Sequence, residues 1–250
     1  MARWYDARKG TMRMTDEDIK EAAIAFAKAN KKAIARRLCA KDRYPPEKDP
    51  VSIFMAGSPG AGKTEASIEL IDAVGPTIRI DPDELRSEFP MYAGGNAHLF
   101  QGAVSIVVDK MLDLVFDHDQ SFLLDGTLTN EPKACYNIDR SLKHKRAVQV
   151  LYVYQDPCQA WQFVCAREEM EGRRIDLETF VGQYFESRRV VNALKAKYGA
   201  DIKVDLLLKN NDGSNRAYQA NVQNIDHYAP EAYDEDRLRL AISTMKYAGG

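Results

Sequence analysis

The chain has 250 residues, of which 45% are hydrophobic and 29% are charged, and its 35 basic and 37 acidic residues give a formal net charge of −2. This length and composition fit a single soluble α/β domain with appendages, long enough to bury a full core. Because no overall positive charge is available to hold a phosphate backbone, nucleic acid is not favoured as a partner.

The first predicted element is an amphipathic helix near the N-terminus. Thr15, followed three residues later by Asp18, has the spacing of a capping box, and apolar residues recur at helical spacing as far as Leu38. The opposite face is basic and carries Lys28, Lys32 and Arg36. Such a face is usually solvated, although it would also suit an acidic partner.

A proline-rich segment at residues 44–50 follows this helix. Proline lacks the amide donor and restricts the residue before it, so the helix cannot continue through this segment. We predict a helical N-terminal extension over residues 1–49 and a main domain over residues 50–250. The extension could regulate the main domain, by binding a partner or by covering its site, or it could only pack against it.

After residue 50 the sequence alternates between short apolar runs and segments with helical periodicity. Strands are predicted at residues 51–56, 77–80, 121–124, 148–154 and 202–208. Helices are predicted at residues 63–74, 97–117, 131–143, 157–171 and 177–197. This alternation predicts an α/β fold with a mostly parallel central sheet between two helical layers, in which ligands bind at the carboxyl ends of the strands.

Cysteine spacing and hydropathy exclude other classes of protein. The four cysteines have no C-x-x-C spacing and the four histidines have no paired spacing, so reduced, buried thiols are expected in place of a zinc site or disulfides. The first ten residues lack the apolar segment of a signal peptide, and no stretch approaches the ~20 apolar residues of a membrane span. We therefore expect a cytoplasmic protein with no membrane partner.

A phosphate-binding loop follows the first strand. The pattern G-x-x-x-x-G-K-[ST] is matched by Gly57, Ser58, Pro59, Gly60, Ala61, Gly62, Lys63 and Thr64. The strand before it and the helix after it are the context that the motif requires. Backbone amides would surround the phosphate oxygens, Lys63 would reach the β- and γ-phosphates, and the Thr64 hydroxyl would coordinate Mg²⁺. The motif predicts an ATP-Mg²⁺ site.

A small-molecule kinase is the P-loop class that the remaining motifs favour. A GTPase would carry an N-K-x-D tetrad on a late strand, which residues 208–212 do not supply. A kinase needs a carboxylate that accepts the substrate proton and arginines that neutralise the transferring phosphoryl group. Asp81 and Asp83 follow the second predicted strand. Either could instead begin a helix, and we choose Asp83 as the general base.

Two further groups of residues complete the predicted site. Asp125 ends the third predicted strand, where it could hold Mg²⁺ through water or bind a substrate hydroxyl, although Asp-Gly is also ordinary turn chemistry. Arg173 and Arg174 follow Gly172, where a lid would close over the phosphates, and Arg167 could reach in from the preceding helix. These arginines could instead form weak surface pairs with neighbouring glutamates.

Between about residues 52 and 174 the sequence resembles the zeta toxin family of bacterial toxin–antitoxin systems. The resemblance rests on the Gly-x-Pro-Gly-x-Gly-Lys-Thr loop, on segments 80–86 and 124–127, and on the Arg167/Arg173 pair. Zeta toxins use ATP-Mg²⁺ to phosphorylate a sugar hydroxyl of UDP-N-acetylglucosamine, and an antitoxin that covers the nucleotide site silences them. The resemblance thus implies ATP and Mg²⁺ as cofactors, a nucleotide sugar as substrate and an antitoxin protein as partner.

The resemblance also implies roles for individual residues. Asp83 falls at the general base, and Arg167 with Arg173 or Arg174 falls at the phosphate-neutralising arginines. The implied substrate-binding residues are Asp83, Arg86, Asp109, Asp125 and Thr127. Asp109 and Asp125 stand where the family usually has glutamate, and the interval from Arg167 to Arg173 is shorter than in well-known members.

Two alternative functions follow from the same residues. A P-loop kinase could phosphorylate an antibiotic, a nucleoside or a dinucleotide in place of a UDP-amino sugar. An ATP-binding regulatory switch would transfer no phosphoryl group. The position of Asp83 disfavours the switch, because a switch needs no general base.

Overall fold

The computed structural model describes residues 14–171, 175–229 and 232–245. The strands in these residues are β1 Val51–Ala56, β2 Ile78–Ile80, β3 Phe122–Leu124, β4 Ala147–Tyr154, β5 Lys203–Lys209 and β6 Asn215–Gln219. The α-helices in them are α1 Asp16–Leu38, α2 Lys63–Val74, α3 Gln101–Asp117, α4 Glu131–Lys143, α5 Pro157–Glu171, α6 Leu177–Tyr198 and α7 Glu235–Met245.

The strands form one sheet in the order β2-β3-β1-β4-β5-β6. All neighbouring pairs from β2 to β5 are parallel, and β6 is antiparallel to β5. Parallel strands need long crossover connections, which the helices between them provide. The predicted α/β class with a mostly parallel sheet is therefore confirmed, and the carboxyl ends of β1 to β5 lie along one edge.

Alternation along β1 places helices on both faces of the sheet. Phe54 points into the large core that α1, α3, α4 and α6 complete, whereas Ile53 and Met55 point into a smaller core with Ala66 of α2. Successive side chains of a strand point to opposite faces, so a strand with no polar face must be covered twice. The result is the three-layer arrangement expected from the sequence.

The predicted elements match the structure closely, with two additions. The helix predicted at residues 97–117 is divided, because a 3₁₀ turn at Ala97–Phe100 precedes α3. Neither β6 nor α7 was predicted. All four cysteines are free thiols as expected, but only Cys39 is buried and the other three are half-buried.

Helix α1 begins at the predicted capping box, in which Thr15 Oγ1 accepts from Asp18 N at 3.1 Å and Thr15 N donates to the Asp18 carboxylate. Its buried residues Ala23, Ala27 and Ile34 belong to the same core as Phe54 of the sheet. The helix therefore packs within the main core. The boundary between residues 49 and 50 stays a prediction.

None of the helices formed by the described residues is long and apolar enough to cross a lipid bilayer.

Candidate active site

The loop from Gly57 to Thr64 connects β1 to α2 at the carboxyl edge of the sheet. Gly57, Gly60 and Gly62 have φ values of 134°, 73° and 84°, a region that residues with a side chain rarely adopt. A Cβ atom would lie 2.4 Å from the Val153 carbonyl oxygen at Gly57 and 2.1 Å from that of Ala160 at Gly60. Glycine is therefore required at both positions, because β4 and α5 press directly on the loop.

The start of the loop is held by α6. Gly57 N donates to Ser187 Oγ at 2.8 Å and makes a longer contact of 3.4 Å with the Thr127 carbonyl oxygen. Ser187 is fully buried. The loop is thus fixed from the side of α6 and from the segment after β3, and this fixes the direction in which its amides point.

Lys63 folds back along the loop. Its Nζ donates to the carbonyl oxygens of Gly57 at 3.0 Å and Ser58 at 2.6 Å. Burial lowers the pKa of Lys63 from 10.5 to about 8, although the negative charge of Asp125 opposes this shift. An ammonium held by two carbonyl oxygens in a half-buried loop is well placed to exchange one of them for a phosphate oxygen.

Four charged side chains act on this ammonium. The charges of Asp125, Asp83 and Asp81 raise the pKa of Lys63, and the charge of Arg167 on α5 lowers it. The structure therefore brings the predicted residues Asp83, Asp125 and Arg167 near the P-loop lysine, together with Asp81, the acid that was not chosen. Arg173 and Arg174, predicted on the lid, lie outside the described residues.

Arg79 of β2 belongs to the site although it was not predicted as a site residue. Its Nη2 donates to Asp81 Oδ2 at 2.6 Å and to Asp125 Oδ2 at 2.7 Å, and its Nη1 pairs with the Glu84 carboxylate. Burial works against the charge of Arg79, but hydrogen bonds to Asp125 and Glu84 and the charge of Asp81 outweigh it and raise its pKa. One guanidinium thus orients the predicted carboxylates at the ends of β2 and β3.

The sequence does contain a signal for this role of Arg79, because a charged residue is unusual in a short apolar strand. Arg79 lies between two isoleucines in β2 and directly before the acidic segment. Only 14% of its side chain is exposed, and a guanidinium is rarely buried without partners.

Asp81 and Asp83 occupy different environments. The side chain of Asp81 is only 13% exposed, and its Oδ1 accepts from Asp83 N at 2.7 Å. Burial raises the pKa of Asp81, the negative charge of Asp125 adds to this effect and Arg79 opposes it. Asp83 precedes the 3₁₀ helix Glu84–Glu88, its side chain is 48% exposed and it pairs with Arg86. Asp83 is therefore the acid that an incoming molecule can reach, while Asp81 fixes the backbone of Asp83 through a hydrogen bond.

Asp109 and Thr127 differ in their contacts with the loop. Thr127 contacts Gly57 through its carbonyl oxygen, and its Oγ1 lies 3.3 Å from Thr129 Oγ1. Asp109 of α3 pairs with Lys133 of α4 at 2.6 Å. None of the hydrogen bonds or ion pairs within the described ranges joins the Asp109–Lys133 pair to the P-loop.

Thr64 and Asp125 are the predicted metal ligands. Ser67 connects them, because its Oγ donates to the Thr64 carbonyl oxygen at 2.7 Å and lies 3.4 Å from Asp125 Oδ2. No group of three or more His, Cys, Asp or Glu side chains in the described part of the chain is placed to hold a metal ion. The pair suits Mg²⁺, which uses one or two protein oxygens and takes its other ligands from water and phosphates.

Comparison with known proteins identifies the family. The family model described as Zeta toxin matches residues 34–223. A chain from the PezAT chromosomal toxin–antitoxin system of Streptococcus pneumoniae superposes with a TM-score of 0.61 at 17% identity, covering 95% of this chain and 98% of that one. No curated protein sequence is significantly similar to this chain.

A second similar structure is a complex of AvrRxo1-ORF1 and AvrRxo1-ORF2 with ATP. A chain of that complex has a TM-score of 0.55 and 14% identity, and the match covers 87% of this chain and 73% of that one. At identities this low, the similar structures show only that the fold is shared. The family model, in contrast, matches most of the sequence. The protein therefore belongs to the zeta toxin family.

Proposed function

We propose that this protein is an ATP-dependent kinase that acts as a zeta-type toxin by phosphorylating a hydroxyl group of a UDP-amino sugar such as UDP-N-acetylglucosamine. The observation that carries the proposal is the convergence of Asp83, Asp125 and Arg167 on the ammonium of Lys63. A phosphoryl transferase needs this combination of a phosphate-binding lysine, a reachable base and a neutralising arginine. Membership of the zeta toxin family supports the choice of acceptor.

The P-loop would hold the triphosphate of ATP. Its glycines have the backbone conformations that let amides turn inward, and α2 begins at Lys63 with the positive end of its dipole toward the loop. Lys63 would exchange a loop carbonyl for phosphate oxygens. Thr64 and Asp125 would hold Mg²⁺, which supplies charge neutralisation at the phosphates when bound.

Asp83 would accept the proton of the acceptor hydroxyl. Its side chain is half-exposed and Arg86 holds it in place, so the carboxylate is accessible and oriented at once. Asp81 and Arg79 position the backbone of Asp83 through the hydrogen bond from its amide to Asp81. Arg86, Asp109, Asp125 and Thr127 would orient the acceptor, and Asp109 would have to exchange Lys133 for a ligand group.

Arginines would stabilise the charge that develops on the transferring phosphoryl group. The charge of Arg167 lowers the pKa of Lys63, which supports a role for this guanidinium beside the phosphates. Arg173 or Arg174 would add a second guanidinium from the lid. Guanidinium groups remain charged at all relevant pH values and bind phosphate oxygens in pairs.

Mass spectrometry of a defined reaction tests this proposal. The protein is incubated with ATP, Mg²⁺ and a panel of UDP-sugars, and the expected product is a UDP-amino sugar that carries one additional phosphoryl group. Lys63→Ala serves as the inactive control. If every UDP-sugar survives while ATP is consumed with a cell metabolite, the acceptor is wrong. If ATP binds and no acceptor in a metabolite extract is phosphorylated, the kinase activity is wrong as well.

We also propose that an antitoxin protein binds this chain in the cytoplasm. The two similar structures described above come from a toxin–antitoxin system and from a complex of two open reading frame products. Co-expression with the product of a neighbouring reading frame should relieve growth arrest and yield a complex that copurifies. Growth arrest that the neighbouring product does not relieve would count against this partner.

A further inference from the structure

Lys209 is a buried lysine at the edge of the sheet where the P-loop lies. It is the last residue of β5, and β5 is parallel to β4, which is parallel to β1. Lys209 lies two residues after Leu207, which packs in the smaller core with α2, so strand alternation places the side chain of Lys209 on the α2 face of the sheet. Only 6% of the surface of Lys209 is exposed.

The side chain of Lys209 extends over the last glycine of the P-loop. A Cβ atom built on Gly62 would lie 3.3 Å from Lys209 Cε and 3.8 Å from Lys209 Nζ. The carboxylate of Glu65 is also near, with Oε2 at 3.7 Å from the same position. Lys63 approaches the other end of the loop, at the carbonyl oxygens of Gly57 and Ser58.

The ammonium of Lys209 has no partner within the part of the chain that the structure describes: it forms no hydrogen bond there and no ion pair, not even with Glu65. Although only 6% of the residue is exposed, its Nζ is not one of the buried polar atoms of the described residues that lack a partner, so the ammonium at the end of a covered side chain still reaches solvent beside Gly62. Lys195 makes the contrast, since it is 4% exposed and its Nζ donates to the oxygens of Gly199, Ile202 and Asn221 at 2.9, 2.9 and 3.1 Å. The ammonium of Lys195 therefore has three acceptors within the fold, whereas that of Lys209 has none among the described residues.

We propose that Lys209 is a phosphate-binding residue of the nucleotide site. Its ammonium would bind an oxygen of the phosphates that ATP and ADP share, on the Gly62 side of the loop, while Lys63 serves the side toward the γ-phosphate. This inference rests on the proposed nucleotide site and assigns a second cation to it. A phosphate oxygen would supply the acceptor that the folded chain does not.

Calorimetric titration of Lys209→Met with ATP and with ADP tests the assignment. Loss of one charge-assisted hydrogen bond should weaken both nucleotides by a similar factor, on the order of tenfold or more. Lys209→Arg keeps the charge and should bind within a few-fold of the original protein. Lys203→Met is the matched control, because Lys203 is exposed at the opposite end of the same strand.

Thermal unfolding without nucleotide provides a second readout. If Lys209 binds a ligand through an ammonium that reaches solvent, Lys209→Met should leave the melting temperature of the nucleotide-free protein nearly unchanged while it weakens ADP binding. A variant that unfolds at a lower temperature but binds ADP normally would overturn the assignment. Unchanged ADP affinity in Lys209→Met would overturn it too. If the original protein binds no ATP or ADP, the proposed function fails, which is a separate outcome.

Discussion

At the scale of single residues, the two carboxylates after β2, Asp81 and Asp83, have different roles. Asp81 is 13% exposed and bound to Arg79, whereas Asp83 is 48% exposed and bound to Arg86. The Asp81 carboxylate already accepts hydrogen bonds from a guanidinium and a backbone amide on the inner side of the segment, and its low exposure keeps an incoming hydroxyl group away from it. Asp83 keeps that capacity and lies at the surface of the site.

Substitution of these two acids should separate the roles. Asp83→Asn is expected to lower kcat by about 100- to 10,000-fold, since it removes the general base, while ATP affinity changes little. Asp81→Asn should lower kcat less and reduce stability, because it weakens the hydrogen bond that Arg79 donates. Single-turnover kinetics measures the rate of phosphoryl transfer, and calorimetry measures ATP affinity and stability. Asp42→Asn, at an exposed position, is the isosteric control, and equal kcat losses for Asp81 and Asp83 would contradict the division.

Lys63 makes the nucleotide-free protein sensitive to pH. Its pKa falls from 10.5 to about 8, mainly through burial and against the charge of Asp125. Below pH 8 folding must bury a charged ammonium, and this penalty fades as the pH rises from about 8 to 10.5. Lys63→Met should therefore unfold with a free energy up to ~3 kcal/mol higher below pH 8, and this advantage should vanish toward pH 10.5.

Urea unfolding of the nucleotide-free protein across this pH range measures the effect. Lys48→Met is a suitable control, because Lys48 is exposed and should give no difference that depends on pH. A stability difference between the Lys63 variant and the original protein that stays constant with pH would show that the charge of Lys63 is not the cause.

Sequence alone predicted part of this residue network. The P-loop and Asp125 are recognisable because their chemistry depends on neighbours in the chain, and Asp83 lies in a similar local motif. Arg79 and Lys209 were missed because their roles depend on contacts across strands. Arg79 meets Asp125 from 46 residues away, and only the folded sheet brings Lys209 over Gly62.

At the scale of elements, α6 positions the P-loop through one hydroxyl group. Gly57 N donates to Ser187 Oγ at 2.8 Å across 130 residues of sequence. Ser187→Ala leaves this amide with only the 3.4 Å contact to Thr127. We expect the free energy of unfolding to fall by about 1 kcal/mol and ATP affinity to fall several-fold, because a buried amide loses its partner and the loop loses its anchor.

Calorimetry and denaturant unfolding measure these two effects of Ser187→Ala. Ser105→Ala is the matched control, because Ser105 is exposed and its hydroxyl bonds only to Gln101 within α3. Affinity equal to that of the original protein would mean that the loop keeps its conformation without α6.

Elements were predicted best where the sequence has a clear apolar pattern or clear end signals. The bounds of β1, α2, α4 and α5 match the predicted ranges. Strand β1 is a short apolar run and α4 is strongly amphipathic, whereas α2 lies between the P-loop and Gly75 and α5 begins at Pro157. Strand β6 has the polar sequence Asn-Arg-Ala-Tyr-Gln and lies half-exposed at the sheet edge, so no apolar pattern marks it. Helix α7 buries Leu238 and Ile242, a pair too short to predict a helix by itself.

At the scale of the whole molecule, α1 connects the main core to the acidic segment of the site. Ile34 is 7% exposed in the core that includes the sheet. Phe26 packs against Phe89 with ring centroids 5.5 Å apart, and Arg37 pairs with Glu88. Glu88 ends the 3₁₀ helix that begins directly after Asp83 and contains Arg86, and Phe89 follows it. Helix α1 therefore stabilises the active-site segment through its contacts with Phe89 and Glu88.

This connection predicts that α1 unfolds together with the sheet. Ile34→Ala should lower the free energy of unfolding by about 2–4 kcal/mol, since it opens a cavity in the shared core. Hydrogen exchange measured by mass spectrometry should then increase together in α1, β1 and β4, because they form one cooperative unit. Lys32→Ala, on the exposed face of the same helix, should change neither quantity. If exchange rises in α1 alone, residues 1–49 form an appendage and the active-site segment does not depend on it.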